Sequence, residues 1–146
     1  MPSEAALTGR CYCGDVRLKL ATPPLTTAYC HCSDCKRWTG SPLPAFAAFP
    51  RHAVDTSQFP APGFSTKAGV ERWICPRCGS PLAATFDYLP DQIYVPVGIL
   101  DDAASLSPEL HCHADQALPW LCLSDELPRS SSSGRDLLNE AGATDG

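Results

Sequence analysis

Nine cysteines, seven of them in three close groups, constrain this 146-residue chain more than any other feature of its sequence. A disulfide scaffold needs an oxidising compartment and usually an even number of cysteines. The number here is odd, and residues 1–8 show neither the basic residues nor the apolar stretch of a secretory signal. Closely spaced thiols in a reducing cytosol are more often metal ligands. The sequence therefore predicts a cytoplasmic, metal-binding protein.

Composition indicates the fold class and argues against two kinds of partner. Fifteen prolines and ten glycines interrupt the chain too often for long helices. Residues 16–20 alternate apolar and basic side chains, which is typical of a half-buried strand. The net charge of −5 argues against a nucleic-acid partner. No apolar run approaches the ~20 residues of a transmembrane helix. We predict an all-β domain that makes no membrane contact.

The predicted elements are short and separated by turns. Strands are expected at residues 16–20, 25–29, 45–49, 70–74, 82–86, 92–100 and 109–113. Pro96 predicts an edge or a bulge in the sixth of these strands. Residues 36–40 are expected to form one turn, and residues 51–63 a surface loop. Because the sequence becomes polar and low in complexity at Arg129, we divide the chain into a zinc-binding domain, residues 1–128, and a flexible C-terminal tail, residues 129–146.

The first predicted metal site combines two cysteine pairs that lie far apart in the sequence. Cys75 and Cys78 form a C-x2-C knuckle, a spacing that lets both thiolates reach one ion. A structural zinc needs four ligands, so a second close pair is required. Cys11 and Cys13 fit, because residues i and i+2 of an extended strand face the same side. A glycine follows each pair, as such turns often require. The alternative is four buried cysteines that act as small hydrophobic residues.

The second cluster is Cys30, Cys32 and Cys35, with His31 between the first two. Three thiolates leave a tetrahedral zinc one ligand short, which is the form of a catalytic site open to water or substrate. The site would instead be closed if Cys112, Cys122, His111 or His113 completed it. A third alternative is a metal-free cluster whose exposed thiols oxidise. His31 should face away from the two neighbouring thiolates, as a group that moves a proton rather than a ligand.

The charge of such a second site indicates its ligand. Zinc with three thiolates carries a formal charge of −1, so it polarises a carbonyl weakly but still suits a soft sulfur ligand. A thiol bound there would be held deprotonated. Lys36 and Arg37 follow Cys35 directly and are candidates for holding the carboxylates of an anionic substrate, unless they form a solvated surface pair. These features favour a small thiol substrate.

With these motifs in place, the sequence resembles the glutathione-dependent formaldehyde-activating enzyme family, which includes the centromere protein V group. The matching segments are residues 9–14 (GRCYCG), 30–40 (CHCSDCKRWTG) and 72–80 (RWICPRCGS), followed by shorter matches at 100–102, 108–111 and 119–120. Their order and spacing agree from Gly9 to Pro128. The resemblance implies a β-tent fold, in which β-sheets pack around zinc knuckles.

The resemblance also implies the metals and the reaction. It implies a structural zinc on Cys11, Cys13, Cys75 and Cys78, and a second, more weakly held zinc on Cys30, Cys32 and Cys35 with glutathione nearby. The family's reaction is that of a carbon–sulfur lyase, which joins glutathione and formaldehyde reversibly as S-hydroxymethylglutathione.

Three functions follow as hypotheses. The first is a zinc-dependent carbon–sulfur lyase acting on a small thiol adduct, with His31 moving a proton. The second is a zinc-stabilised binding module without chemistry, since a fold alone does not decide function. The third is a redox sensor based on oxidation of Cys30, Cys32 and Cys35. An open second site would favour the first hypothesis, and a site closed by a fourth protein ligand would favour the second.

Overall fold

A computed structural model describes residues 7–133 of the chain, which are mostly β-strand with one α-helix. The elements are β1 (Leu7–Arg10), β2 (Arg17–Leu20), β3 (Thr26–Cys30), α1 (Ser33–Thr39), β4 (Ala45–Pro50), β5 (Phe64–Lys67), β6 (Val70–Ile74), β7 (Pro81–Phe86), β8 (Gln92–Pro96) and β9 (Leu110–Cys112). The predicted all-β fold class is confirmed. Within the described range, no helix is long and apolar enough to cross a membrane.

The chain divides into two compact units. Of the described residues, the first unit contains 7–27 and 46–107, and the second contains 28–45 and 108–133. In the first unit, β1 and β2 form an antiparallel pair. A larger sheet in this unit has the strand order β5-β6-β7-β8-β4, and every neighbouring pair in it is antiparallel.

Burial in the first unit follows the apolar pattern of its strands. Leu18 and Leu20 of β2 are buried while Arg17 and Lys19 are exposed, as the alternation predicts. Strands β4 and β7 each bury four consecutive residues, so they lack that alternation. The largest fully buried core side chains of this unit are Phe49, Leu18, Leu20, Leu82, Ile93, Val16 and Val95. Cys11 and Cys75 belong to the same core, so two members of the first cysteine group are packed within it.

The second unit is organised around a parallel strand pair. Ala28, Tyr29 and Cys30 of β3 lie opposite Leu110, His111 and Cys112 of β9. Helix α1 begins after Cys32 and ends at Gly40, which has the left-handed backbone (φ of 76°) that glycine adopts without steric cost. Residues after Pro128 run beside β9, where the His111 N–H donates to Pro128 O and the Ser130 N–H donates to His111 O.

Three local predictions need correction. Residues 51–63 are not a plain surface loop, because two 3-10 turns bury Ala53, Val54 and Phe59 there. Pro96 marks neither an edge nor a bulge: β8 lies between β7 and β4 and ends at this proline, since its missing N–H cannot extend the ladder. Cys11–Cys13 is a turn, since β1 ends at Arg10. Residues 134–146 of the predicted tail lie outside the described residues.

Candidate metal centres

The first cysteine group places four sulfur atoms within 4.8 Å of one another: those of Cys11, Cys13, Cys75 and Cys78. The Cys11 and Cys13 sulfurs lie 3.6 Å apart, and those of Cys13 and Cys75 3.8 Å apart. The structure thus brings together the two pairs that the spacing predicted, although they are more than sixty residues apart in the sequence.

Each cysteine pair lies in a turn that is followed by a glycine, and the two turns place the four sulfurs close together. In the first turn, the Gly14 N–H donates to Cys11 O, and the Val16 N–H donates to the Cys11 sulfur at 3.3 Å. In the second, the Gly79 N–H donates to Cys75 O, and the Cys78 N–H donates to the Cys75 sulfur at 3.4 Å. Gly14 and Gly79 have φ values of 83° and 79°, a region that other residues enter only with strain.

The geometry of this group fits zinc. With zinc–sulfur bonds of about 2.3 Å, the sulfurs of a tetrahedral site are about 3.8 Å apart. The Cys11–Cys13 and Cys13–Cys75 sulfur separations of 3.6 and 3.8 Å match that edge. The four donors are soft thiol sulfurs, which select zinc over hard cations such as magnesium. This group can therefore hold a metal ion without rearrangement of the chain.

Ser80 adds a hydroxyl to the edge of the group. Its Oγ lies 3.2 Å from the Cys78 sulfur, and it accepts a hydrogen bond from the Tyr12 N–H at 2.9 Å. The contact with Ser80 is the main cause that lowers the pKa of Cys78 to about 5. At neutral pH, Cys78 is therefore prepared as the thiolate that a metal requires.

The second group holds three sulfurs within 4.8 Å of one another, those of Cys30, Cys32 and Cys35. Cys30 ends β3, where its N–H donates to Pro44 O at 3.0 Å. Cys32 caps α1, and its sulfur accepts a hydrogen bond from the Cys35 N–H at 3.3 Å. Strand end, cap and first helical turn therefore each contribute one ligand atom. Within residues 7–133, the group has these three members and no fourth.

Hydrogen bonds among the three thiols decide which loses its proton first. The Cys30 sulfur lies 3.4 Å from that of Cys32 and 3.3 Å from that of Cys35. Hydrogen bonds from the thiols of Cys30 and Cys35 lower the pKa of Cys32 to about 2. The same hydrogen bond to Cys32, followed by that to Cys35, raises the pKa of Cys30. Of these two thiols, Cys32 is therefore the one that loses its proton first, and a metal ion would displace the proton of Cys30.

The side chain of His31 is buried and contacts a second histidine. Only 3% of His31 is exposed, and its Nε2 lies 2.7 Å from Nδ1 of His111. Burial is the main cause that lowers the pKa of His31, so the imidazole is neutral at pH 7. Among the described residues, the sulfur group does not include it, and its role in moving a proton stays a prediction.

The two basic residues after Cys35 differ in their surroundings. Lys36 is half-buried, and its Nζ donates to Gln116 O at 2.7 Å. That contact uses one of three N–H donors, which leaves two for a ligand. Arg37 is exposed on α1. Their contact with a substrate carboxylate stays a prediction.

The four residues suggested as a fourth ligand lie outside the sulfur group. Cys112 is buried, and its thiol donates to Ser133 O at 3.0 Å. Burial raises the pKa of Cys112 to about 11, so it remains a protonated thiol at neutral pH. The Nδ1 atom of His111 contacts His31 instead. His113 has a left-handed backbone with φ of 53°, and Cys122 is exposed; neither belongs to the sulfur group.

One feature of this region was missed by sequence reasoning. His111 is hydrogen-bonded to Asp125, and both carboxylate oxygens lie 3.1 Å from His111 Nε2. Nothing in the sequence around Asp125 marks it, since it stands in an exposed stretch between leucine and proline residues. Only the register of β9 against the following segment brings the two residues together.

The chain is similar to a known protein family and to a curated protein. The family model of the glutathione-dependent formaldehyde-activating enzyme matches residues 6–116. A protein of Schizosaccharomyces pombe described as an uncharacterized lyase is 28% identical over 74 residues, which are 51% of this chain and 53% of that protein. The chain thus spans about half the length of this curated relative.

A crystal structure of a Rhodobacter sphaeroides protein, a structural genomics target, shows the same fold. It superposes with a TM-score of 0.52 at 19% sequence identity, and the alignment covers 84% of this chain and 99% of that one.

Proposed function

Because the chain belongs to the glutathione-dependent formaldehyde-activating enzyme family, we propose that it is a zinc-dependent carbon–sulfur lyase acting on a small thiol adduct. The proposed reaction adds glutathione to formaldehyde. The thiol sulfur forms a bond to the carbonyl carbon, the carbon–oxygen double bond becomes a single bond, and the oxygen takes up the thiol's proton. The product is S-hydroxymethylglutathione, and the reverse reaction breaks the same carbon–sulfur bond.

The observation that carries this proposal is the difference between the two cysteine groups. The first has four sulfurs, enough to enclose a structural zinc, whereas the second has three. Each group has two half-buried thiols, Cys13 and Cys78 in the first and Cys30 and Cys32 in the second, so the number of sulfurs and not their burial separates the groups. With only three sulfurs, the second group would leave the fourth position of a tetrahedral zinc to a solvent-borne thiol.

We propose that Cys30, Cys32 and Cys35 hold the second zinc. Bound there, the ion would offer a fourth position that takes a soft thiol sulfur and holds it deprotonated. Hydrogen bonds within the cluster lower the pKa of Cys32, so this residue would meet the metal already as a thiolate. Cys35 lies in the first turn of α1, so its sulfur is fixed by the same cap that fixes Cys32.

The neighbouring polar residues have separate proposed roles. His31 is buried and neutral, so it can accept the proton that leaves the thiol and return it to the carbonyl oxygen. Lys36, through its two remaining N–H donors, and the exposed Arg37 would bind the carboxylates of glutathione. The reducing cytosol predicted from the sequence would keep the three thiols available.

Exchange NMR on a glutathione–formaldehyde mixture tests the reaction. The adduct also forms spontaneously, so the informative quantity is the rate with protein minus the rate without it. We expect the zinc-loaded protein to accelerate interconversion and Cys32→Ser to abolish that acceleration. Cys122→Ser is the matched control, because Cys122 is exposed and belongs to neither group. It should retain the full rate.

Three outcomes would contradict the proposal. An acceleration that survives in Cys32→Ser would place the chemistry elsewhere. No acceleration by zinc-loaded protein, together with no glutathione binding at millimolar concentration, would favour a zinc-stabilised binding module. Loss of the second metal accompanied by disulfide formation among Cys30, Cys32 and Cys35 would instead favour a redox sensor.

A further inference from the structure

Two buried histidines in the second unit form a hydrogen-bonded pair. His31 lies between β3 and α1, and His111 lies in β9. Their ring centroids are 5.0 Å apart with an interplanar angle of 23°, and His31 Nε2 is 2.7 Å from His111 Nδ1. They are 3% and 1% exposed, so water does not satisfy their ring nitrogens as it would at the surface.

A third residue extends the pair to a carboxylate. His111 Nε2 lies 3.1 Å from each oxygen of Asp125. Asp125 Oδ1 also accepts hydrogen bonds from Arg129 Nη1 at 2.8 Å and from the Leu127 N–H at 3.0 Å. The carboxylate is thus held in place by its own segment, and the chain of contacts runs from Asp125 through His111 to His31.

Asp125 comes from a part of the chain that the family match does not include. The family model ends at residue 116. The segment after it runs beside β9, and the backbone hydrogen bonds between His111 and residues 128 and 130 fix its register. The histidine pair lies within the family match, but the group that orients it is contributed by this chain's following segment.

The contacts favour one placement of the protons. An ionised carboxylate can only accept hydrogen bonds, so His111 Nε2 must carry a proton. Between the two rings, His31 Nε2–H is assigned as the donor, because the opposite direction would leave a proton on His31 Nδ1 as a buried N–H with no partner among the described residues. Consequently, His31 Nδ1 is unprotonated. That atom is buried and has no hydrogen-bond partner within the described residues.

We propose that Asp125 is a positioning residue which, through His111, holds His31 in the tautomer with its proton on Nε2 and leaves His31 Nδ1 as an acceptor. The consequence for catalysis rests on the proposed function: an acceptor with a fixed tautomer is ready to take the substrate's proton. The tautomer itself does not rest on that function, because it is a property of the resting protein.

The test uses the full-length, zinc-loaded protein labelled with 15N, with imidazole nitrogens read by long-range 1H–15N correlation. In neutral histidine, an unprotonated nitrogen resonates far downfield of a protonated one. We expect both His31 and His111 to show a downfield Nδ1 and an upfield Nε2. In Asp125→Asn we expect His31 to lose this single tautomer and show averaged nitrogen shifts. Asp125→Glu, which restores a carboxylate, should recover the wild-type pattern at least in part.

Two controls separate positioning from simple loosening of the segment. Glu126→Gln neutralises the neighbouring exposed carboxylate and should leave both tautomers unchanged. Arg129→Gln removes an anchor of the segment but keeps the Asp125 carboxylate, so the tautomers should survive. A wild-type His31 protonated on Nδ1 would overturn the inference, and so would identical histidine spectra in wild type and Asp125→Asn.

A kinetic readout completes the test. If the chain has the proposed activity, Asp125→Asn should lower kcat by about 10- to 100-fold while KM stays unchanged, since residues that orient a reacting group commonly act on this scale. An equal loss in Arg129→Gln would show that the segment acts only as a structural support. Failure of the wild-type protein to accelerate the reaction overturns the proposed function, whereas the NMR result decides the tautomer independently.

Discussion

Ser80 and Tyr12, 68 residues apart in the sequence, are joined by a hydrogen bond of 2.9 Å from the Tyr12 N–H to the Ser80 hydroxyl. Tyr12 stands between Cys11 and Cys13, and Ser80 follows the turn that holds Cys75 and Cys78. The bond therefore ties one cysteine turn to the other. The same hydroxyl lies 3.2 Å from the Cys78 sulfur, so one side chain supports both halves of the first metal site.

This relationship predicts the effect of removing the hydroxyl. Ser80→Ala should lower the zinc affinity of the first site by about 10- to 100-fold, the usual cost of losing a group that orients metal ligands. Competition with a chromophoric chelator measures this affinity. Ser80→Thr keeps a hydroxyl and should stay close to wild type. Equal affinity in Ser80→Ala and wild type would contradict the role assigned to this contact.

Removal of a first-site ligand should unfold the first unit. Cys78→Ala leaves three thiolates for the structural zinc, whose binding contributes on the order of 10 kcal/mol to folding. We expect loss of the cooperative thermal transition in circular dichroism. Cys122→Ala, at an exposed cysteine outside both groups, is the control and should melt as wild type. A native-like Cys78→Ala protein that melts cooperatively without zinc would disprove the structural assignment.

Removal of a second-site ligand should have a different result. Cys32→Ser is expected to keep the fold and one zinc per chain while losing the second metal. The reason is that Cys30, Cys32 and Cys35 close a loop of six residues, whereas the first site joins segments more than sixty residues apart and so restricts the unfolded chain far more. Metal analysis and circular dichroism on the same samples measure both effects. Collapse equal to that of Cys78→Ala would show that the two sites are not independent.

The glycine after the second cysteine turn gives a prediction about backbone strain. Gly79 has φ of 79°, and a methyl group added there would meet no atom within 4 Å. Gly79→Ala should therefore destabilise the protein by about 1–2 kcal/mol through backbone conformation alone. At Gly98 the space is equally open but φ is not positive, so Gly98→Ala should be neutral or stabilise by about 0.5 kcal/mol. Denaturant unfolding of the two variants measures the difference, and equal stabilities would contradict it.

Local spacing made much of this protein predictable from its sequence. The cysteine turns depend on residues two or three apart and on the glycine that follows, so their geometry can be inferred without knowledge of the fold. The pairing of Cys11 and Cys13 with Cys75 and Cys78 required only that zinc takes four ligands. Strands with apolar runs, such as β4 and β7, were also predicted within one or two residues of their observed bounds.

Other features of the fold leave no pattern in the sequence around the residues concerned. Strand β1 buries Gly9, which contributes nothing to an apolar pattern but must be small because an added methyl group would lie 2.7 Å from Ile99 O. All four residues of β5 are exposed, so that strand also lacks alternation. The contact of His111 with Asp125 depends on the register of β9, which no pattern near either residue encodes.

The group of Cys30, Cys32 and Cys35 is proposed to bind a substrate thiol through the sulfur atom of that thiol. Replacing zinc with cobalt tests this binding, because sulfur-to-cobalt charge-transfer absorption grows with the number of thiolate ligands. Glutathione at about millimolar concentration should increase this absorption by one thiolate per chain in wild type and leave Cys32→Ser unchanged. S-methylglutathione, which offers only a thioether, should produce no increase. An unchanged wild-type spectrum, or an equal response to both compounds, would contradict sulfur ligation at this site.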